Sequence, residues 1–94
     1  MKKTSVRISK WNETNFRTTP PDSIIRKGCG MYVRYVRAFG VHFSNTHIRE
    51  LGTLNVGRVH RTVRLSDRAM KALDLVAMSA GVTRSDVFRA FLYF

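Results

Sequence analysis

The clearest hydrophobic pattern in the chain begins at Thr62, where polar and apolar side chains alternate. Thr62 and Arg64 are polar, whereas Val63 and Leu65 are apolar. A two-residue period of this kind predicts a short β-strand with one buried and one open face. The open face carries a positive charge. This needs an explanation, because the chain is already strongly basic.

Two helices are predicted directly after this strand. Apolar side chains at helical spacing indicate the first helix, and Gly81 stands where a left-handed residue would end it. Ser66 is a favourable N-cap for this helix. Thr83 opens the second helix, with Asp86 at the capping-box spacing. The side chains expected on the buried faces of the strand and helices are Val63, Leu65, Met70, Leu73, Ala77, Val87, Phe88, Phe91 and Leu92.

The first 57 residues have a weaker pattern. Ser5–Trp11 fits either a short strand or a disordered basic arm. Met31–Phe43 is rich in Val, Tyr and Phe and predicts two short strands or one bulged strand, followed by a short helix ending at Gly52. No internal repeat is evident. We therefore divide the chain into a basic, β-containing N-terminal extension, residues 1–57, and a C-terminal strand–helix–helix domain, residues 58–94.

The composition favours a polyanionic partner. The 94 residues fit one small domain, and 17 Lys and Arg against 6 Asp and Glu give a net charge of +11. An excess of this size indicates nucleic acid first and an anionic membrane surface second. No apolar run approaches the roughly 20 residues of a membrane span, so we expect no membrane insertion. Cys29 is the only cysteine, which fits a reducing cytoplasm.

A lone strand in the C-terminal domain requires a partner, because its backbone N–H and C=O groups are otherwise unpaired. No second strand is evident nearby, so a second copy of the chain is the economical source. Two such strands would form an antiparallel ribbon in a homodimer, with Val63 and Leu65 facing the helices. His60, Thr62 and Arg64 would then point outward. A ribbon of this kind fits the major groove of B-form DNA, where base edges differ in their donors and acceptors.

Residues 60–94 resemble the ribbon-helix-helix family of DNA-binding proteins, the Arc, MetJ and CopG type. The resemblance rests on the run RTVRLSDRAMKALDLVA, the turn at Gly81 and the run TRSDVFRAFL, which match in order and spacing without gaps. It covers a little over a third of the chain. It implies an α+β fold in which the C-terminal ribbon-helix-helix forms an intertwined homodimer around a two-stranded antiparallel ribbon.

The resemblance also implies two sets of DNA contacts. Alternating strand residues would read base edges, and the start of the second helix would hold phosphate, where N–H groups and the helix dipole attract an anion. Arg61 departs from the family pattern, because its strand position is often apolar. Its guanidinium is expected to reach solvent or phosphate. The implied base contacts are His60, Thr62 and Arg64, and the implied phosphate contacts are Arg61, Thr83, Arg84 and Ser85.

The sequence predicts neither an enzyme nor a cofactor. Its six carboxylates suggest no catalytic pair, and no serine has an evident base beside it. His42, His47, His60 and Cys29 match no metal-ligand spacing, so we expect no metal site.

We expect a cytoplasmic, nucleoid-associated protein that binds double-stranded DNA sequence-specifically. The simplest role is a transcriptional repressor that acts as a homodimer or as a higher-order assembly on DNA. One alternative is a relaxosome accessory protein that binds a plasmid transfer origin. Another is a phage- or plasmid-encoded inhibitor or antitoxin whose residues 1–57 bind a partner protein.

Overall fold

A computed structural model describes residues 2–54, 57 and 59–94 of the chain. The predicted domain boundary between residues 57 and 58 falls beside Arg58, which lies outside the described residues. The fold is α+β, as predicted, with a two-stranded antiparallel sheet. Its elements are β1 (Lys2–Ile8), α1 (Lys10–Thr18), α2 (Pro21–Phe39), α3 (Val41–Thr53), β2 (Val59–Leu65), α4 (Asp67–Ala80) and α5 (Arg84–Leu92).

The partner of β2 is β1 of the same chain. The two strands are antiparallel, with Lys2 opposite Leu65 and Ile8 opposite Val59. The expectation that a second copy supplies the partner strand is therefore wrong for this ribbon, because β1 already satisfies the backbone groups that face it. Of the two interpretations of Ser5–Trp11, the strand is correct as far as Ile8, and α1 begins at Lys10.

The β prediction for Met31–Phe43 is wrong. Helix α2 runs through this segment to Phe39, and α3 begins at Val41 after Gly40, whose φ of 90° breaks the helical path. Local β propensity is weak compared with tertiary contacts, and in this segment the half-buried Tyr32 and Tyr35 contact Asn45 and Phe94 from a helix. The short helix expected before Gly52 exists, but it is longer than predicted, because α3 extends from Val41 to Thr53.

Glycine in the middle of α2 allows two helices to pack closely. A Cβ placed on Gly28 would overlap the ring of Phe91 on α5. Gly28 therefore lies in a helix contact, and the Gly-Cys-Gly sequence forms part of α2 rather than a turn. Gly30, two residues later, faces open space, so its lack of a side chain serves no comparable contact.

The side chains expected to form a dimer core are buried within one chain. All nine of them are at most 6% exposed. The N-terminal half contributes further buried side chains from β1, α2 and α3, among them Val6, Ile8, Ile25 and Ile48. One chain thus closes this core, because β1, α2 and α3 occupy the positions that a second copy was expected to fill.

Helix α3 is tied to its neighbours by polar contacts as well as by apolar packing. The Tyr32 hydroxyl on α2 donates to Oδ1 of Asn45 at 2.6 Å, and Asn45 Nδ2 donates to the Ser79 carbonyl on α4 at 2.9 Å. The buried Arg89 on α5 donates from Nε to the Gly52 carbonyl at 2.7 Å. The Asn45 and Arg89 side chains thus satisfy carbonyls near helix ends that have no partner inside their own helix.

The predicted helix termini around α4 and α5 are confirmed. The Ser66 hydroxyl accepts from the Ala69 N–H, and Gly81 ends α4 in the left-handed conformation with φ 69°. Thr83 and Asp86 form a reciprocal capping box at the start of α5. Among the described helices, none is long and apolar enough to cross a membrane.

Candidate nucleic-acid interface

The ribbon has one buried face and one exposed polar face. Val6 and Ile8 of β1 and Val63 and Leu65 of β2 point inward and are at most 1% exposed. The outward side chains stand in three cross-strand rows, which we call the reading face. These rows are Lys3 opposite Arg64, Ser5 opposite Thr62 and Arg7 opposite His60.

All six side chains of the reading face are exposed. Sequence reasoning found the β2 members His60, Thr62 and Arg64, and the structure brings these three together on one face. It missed the β1 members Lys3, Ser5 and Arg7. The reading face therefore carries three permanent cations, and no acidic residue stands in its rows.

A short internal repeat relates the two halves of the ribbon. Ser5–Ser9 reads SVRIS and Thr62–Ser66 reads TVRLS, so the residues correspond in chemical type at each of the five positions. Both segments end in a serine whose hydroxyl caps the following helix. A pair of helices follows each segment, α1 and α2 in one half and α4 and α5 in the other, and α3 is an additional helix in the first half. The earlier expectation of no internal repeat is wrong.

The repeat and the strand register together define an approximate two-fold axis. Ser5 corresponds to Thr62 in the repeat, and the same two residues stand opposite each other in the ribbon. The axis therefore passes between them. It relates Arg7 to Arg64, one row to either side, and it relates Lys3 to His60.

The two outer rows of the reading face differ in their contacts. Arg7 donates from Nε to Nε2 of His60 at 3.1 Å. At the other end Arg64 stands opposite Lys3, and no hydrogen bond or ion pair joins Arg64 to another described residue. The whole guanidinium of Arg64 is thus available to an external acceptor, whereas Arg7 uses Nε across the ribbon and keeps its two terminal nitrogens for such an acceptor.

The start of α5 lies against β1, beside the centre of the ribbon. The Ser85 hydroxyl donates to the Ser5 carbonyl at 2.6 Å. The Thr83 hydroxyl accepts from the Asp86 N–H at 3.2 Å, as part of the capping box. The expected phosphate contacts therefore lie close to the ribbon, but both hydroxyls already have partners within the chain.

Both arginines expected at phosphates are engaged in ion pairs. Arg84 pairs with Asp74 on α4, where a second guanidinium nitrogen lies 3.3 Å from the carboxylate. Arg61 is on the inward side of β2, opposite Val6, and pairs with Glu13 of α1.

The carboxylate of Glu13 is stabilised in its charged form. The hydrogen bond from Arg61 is the main reason that the pKa of Glu13 lies below its ordinary value of 4.5. Partial burial opposes this shift, and Arg17, which donates to Glu13 at 3.0 Å, adds to it. Arg61 therefore stabilises the junction of β2 and α1 in the absence of a ligand.

Other chemistry is not evident at this interface. Within the described ranges, no three His, Cys, Asp or Glu side chains are grouped so that they could share a metal ion. Burial raises the pKa of the Cys29 thiol, which favours its protonated form.

Comparison of the chain with protein-family models, with curated proteins and with solved structures finds no significant match in any of the three.

Proposed function

We propose that this protein binds double-stranded DNA sequence-specifically by inserting its ribbon into the major groove. The observation that carries the proposal is the reading face, six exposed polar side chains in three rows on a two-stranded ribbon. Two strands about 5 Å apart form a ribbon narrow enough for a groove about 12 Å wide. Arginine is suited to paired hydrogen bonds with guanine, so Arg64 and Arg7 are the proposed main base contacts.

In this proposal a single chain supplies the two strand–helix–helix halves that a ribbon-helix-helix dimer would supply from two chains. The support is the repeated pentapeptide, the matching order of elements and the strand register. One chain would then occupy one site. Because Lys3 and His60 occupy related positions but differ in chemistry, the two half-sites would differ in sequence.

The net charge of +11 supports a nucleic-acid partner and predicts strong salt dependence. The simplest biological role is transcriptional repression at the nucleoid, since occupation of a short DNA site requires no catalytic group.

The test is a selection from a randomised duplex library, followed by footprinting of the recovered sequence. The proposal predicts a short, asymmetric recovered motif and protection in the major groove. Recovery of unrelated sequences with equal affinity would contradict sequence-specific recognition.

A second candidate function has support from exposed apolar side chains far from the ribbon. Val33, Phe39, Val41 and Phe43 are 45–60% exposed on α2 and α3. Phe39 lies about 27 Å along α2 from its first residue at a rise of 1.5 Å per residue. Between Asp22 and Glu50 the sequence has no acidic residue. An acidic protein would complement the positive charge of this surface. The relaxosome accessory, inhibitor and antitoxin alternatives all require a protein partner.

This second function would use DNA binding to bring a partner to a transfer origin or to a promoter. Affinity capture with the wild-type protein and with a Phe39→Ser, Phe43→Ser variant tests it. An acidic protein that the wild type retains and the variant loses, at unchanged DNA affinity, would favour this function. Equal capture by both proteins would exclude this surface as the binding site.

A further inference from the structure

A cleft of about 360 Å³ lies between α2 and α4. Apolar side chains, among them Ile25 and Ala69, form part of its lining. Arg26 and Arg68 also line it and are exposed. Neither guanidinium makes a hydrogen bond or ion pair with another residue in the part of the chain that the structure describes. The cleft therefore presents two cations that no described carboxylate neutralises by direct pairing.

The cleft adjoins one end of the reading face. Ser66, which also lines it, comes directly after the last residue of β2 and two residues after Arg64. Oδ1 of Asp22, at the start of α2, accepts from the Ser66 N–H at 3.1 Å. This contact holds the first turn of α2 against the junction of β2 and α4, at the end of the ribbon where Lys3 stands opposite Arg64.

In the order of elements after each strand, the start of α2 corresponds to the start of α5, but their chemistry differs. Arg84 and Ser85 begin α5 with backbone N–H groups that can attract an anion, whereas the Thr83 N–H already donates to the Asp86 carboxylate. Helix α2 begins with Pro20 and Pro21, which have no N–H, followed by the carboxylate of Asp22. This helix start is therefore poorly suited to hold phosphate through its backbone.

We propose that Arg26 and Arg68 bind a backbone phosphate of the DNA at this end of the ribbon. The inference rests on the proposed DNA-binding function and adds two contacts to it. The start of α5 would hold phosphate beside β1, and the side chains of Arg26 and Arg68 would do so at the end of the ribbon where Lys3 stands opposite Arg64. The carboxylate of Asp22 is engaged with Ser66, which reduces its repulsion of the phosphate.

The test measures affinity for the selected duplex and for an unrelated duplex over a range of salt concentrations. The double variant Arg26→Ala, Arg68→Ala should bind both duplexes about tenfold more weakly near 0.15 M salt. Its slope of log affinity against log salt should be smaller by roughly 1, because one phosphate is no longer neutralised. The ratio between the two duplexes should stay the same, since phosphate contacts carry no sequence information.

The matched control is Arg34→Ala, Arg37→Ala, which removes the same charge from the distal half of α2 and should leave the slope close to that of the wild type. Asp22→Asn keeps an oxygen that can accept from Ser66 and removes the negative charge, so it should bind both duplexes more tightly. The phosphate site is wrong if the cleft variant keeps the wild-type slope while Arg64→Ala still weakens binding. Absence of duplex binding by the wild type would instead overturn the proposed function itself.

Discussion

Ser5 lies directly opposite Thr62 at the centre of the ribbon, and the two residues occupy the same position in the internal repeat. This coincidence of register and repeat places the approximate two-fold axis between them. It also explains how one chain can present a complete reading face. Each strand contributes three outward side chains, and the backbone of each strand forms hydrogen bonds with the backbone of the other.

The reading face predicts a difference between its two related arginines. Arg64→Ala should cost on the order of 1 to 3 kcal/mol of binding free energy and relax base preference in one half-site, because it removes a base contact. Arg7→Ala should relax preference in the other half-site and leave the first unchanged. Binding selections with each variant measure both effects. Loss of preference at the same base position in both variants would contradict the two-half arrangement.

The inward face of β1 predicts a stability effect that a disordered arm would not have. Ile8 is fully buried, and Ile8→Ala should lower the free energy of unfolding by about 2 to 5 kcal/mol. Ser5→Ala, on the exposed face of the same strand, should change it by less than about 0.5 kcal/mol. Urea denaturation of the two variants gives the comparison. Equal, small effects would mean that β1 is not packed on the core.

The two glycines in α2 predict opposite responses to the same substitution. Gly28→Ala should destabilise the protein by roughly 1 to 3 kcal/mol, because the added methyl group overlaps the Phe91 ring and the helices must separate. Gly30→Ala adds the same group in open space and should stabilise it by about 0.5 to 1 kcal/mol. Thermal unfolding of both variants checks the helix contact. If both substitutions stabilised the protein, the close contact between Gly28 and Phe91 of α5 would be wrong.

The ion pair of Glu13 with Arg61 predicts acid sensitivity. The folded protein holds the pKa of Glu13 below 4.5, so the unfolded chain takes up a proton at Glu13 more readily. Its contribution is therefore present above pH 4.5 and is lost as the pH falls through the lowered value. The stability difference between the wild type and Glu13→Gln should be largest near neutral pH and shrink in acid.

Denaturant unfolding at several pH values measures this difference, with Glu50→Gln on the exposed side of α3 as the matched control. A difference for Glu13→Gln that stays constant with pH would show that the carboxylate charge has no part in the contact.

The sequence predicted the C-terminal half well because its determinants are local. Ser66, Gly81 and the Thr83–Asp86 pair fix helix ends through contacts within a few residues. Local periodicity also separated the buried Val63 and Leu65 from the outward His60, Thr62 and Arg64. The contacts of Arg84 with Asp74 and of Arg61 with Glu13 depend on packing between elements, so they could not be predicted from the sequence.

The N-terminal half was harder to predict, because its structure depends on distant partners. The aromatic and β-branched residues of Met31–Phe43 favour strands in isolation, yet they form helices that pack on α4 and α5. The glycine at position 28 is a residue type common in turns, and its role in helix packing is evident only from its close contact with Phe91. The partner of β2 lies 57 residues earlier at the equivalent repeat position, and comparison of SVRIS with TVRLS could have identified it.

The most direct test of the account follows backbone amide resonances of the protein by NMR while a duplex carrying the selected site is added. Binding through the ribbon predicts that the largest shifts occur together at Lys3, Ser5, Arg7, His60, Thr62 and Arg64, and that they saturate at one chain per site. Large shifts at Phe39 and Phe43 with an unchanged ribbon, or saturation only at two chains per site, would contradict it.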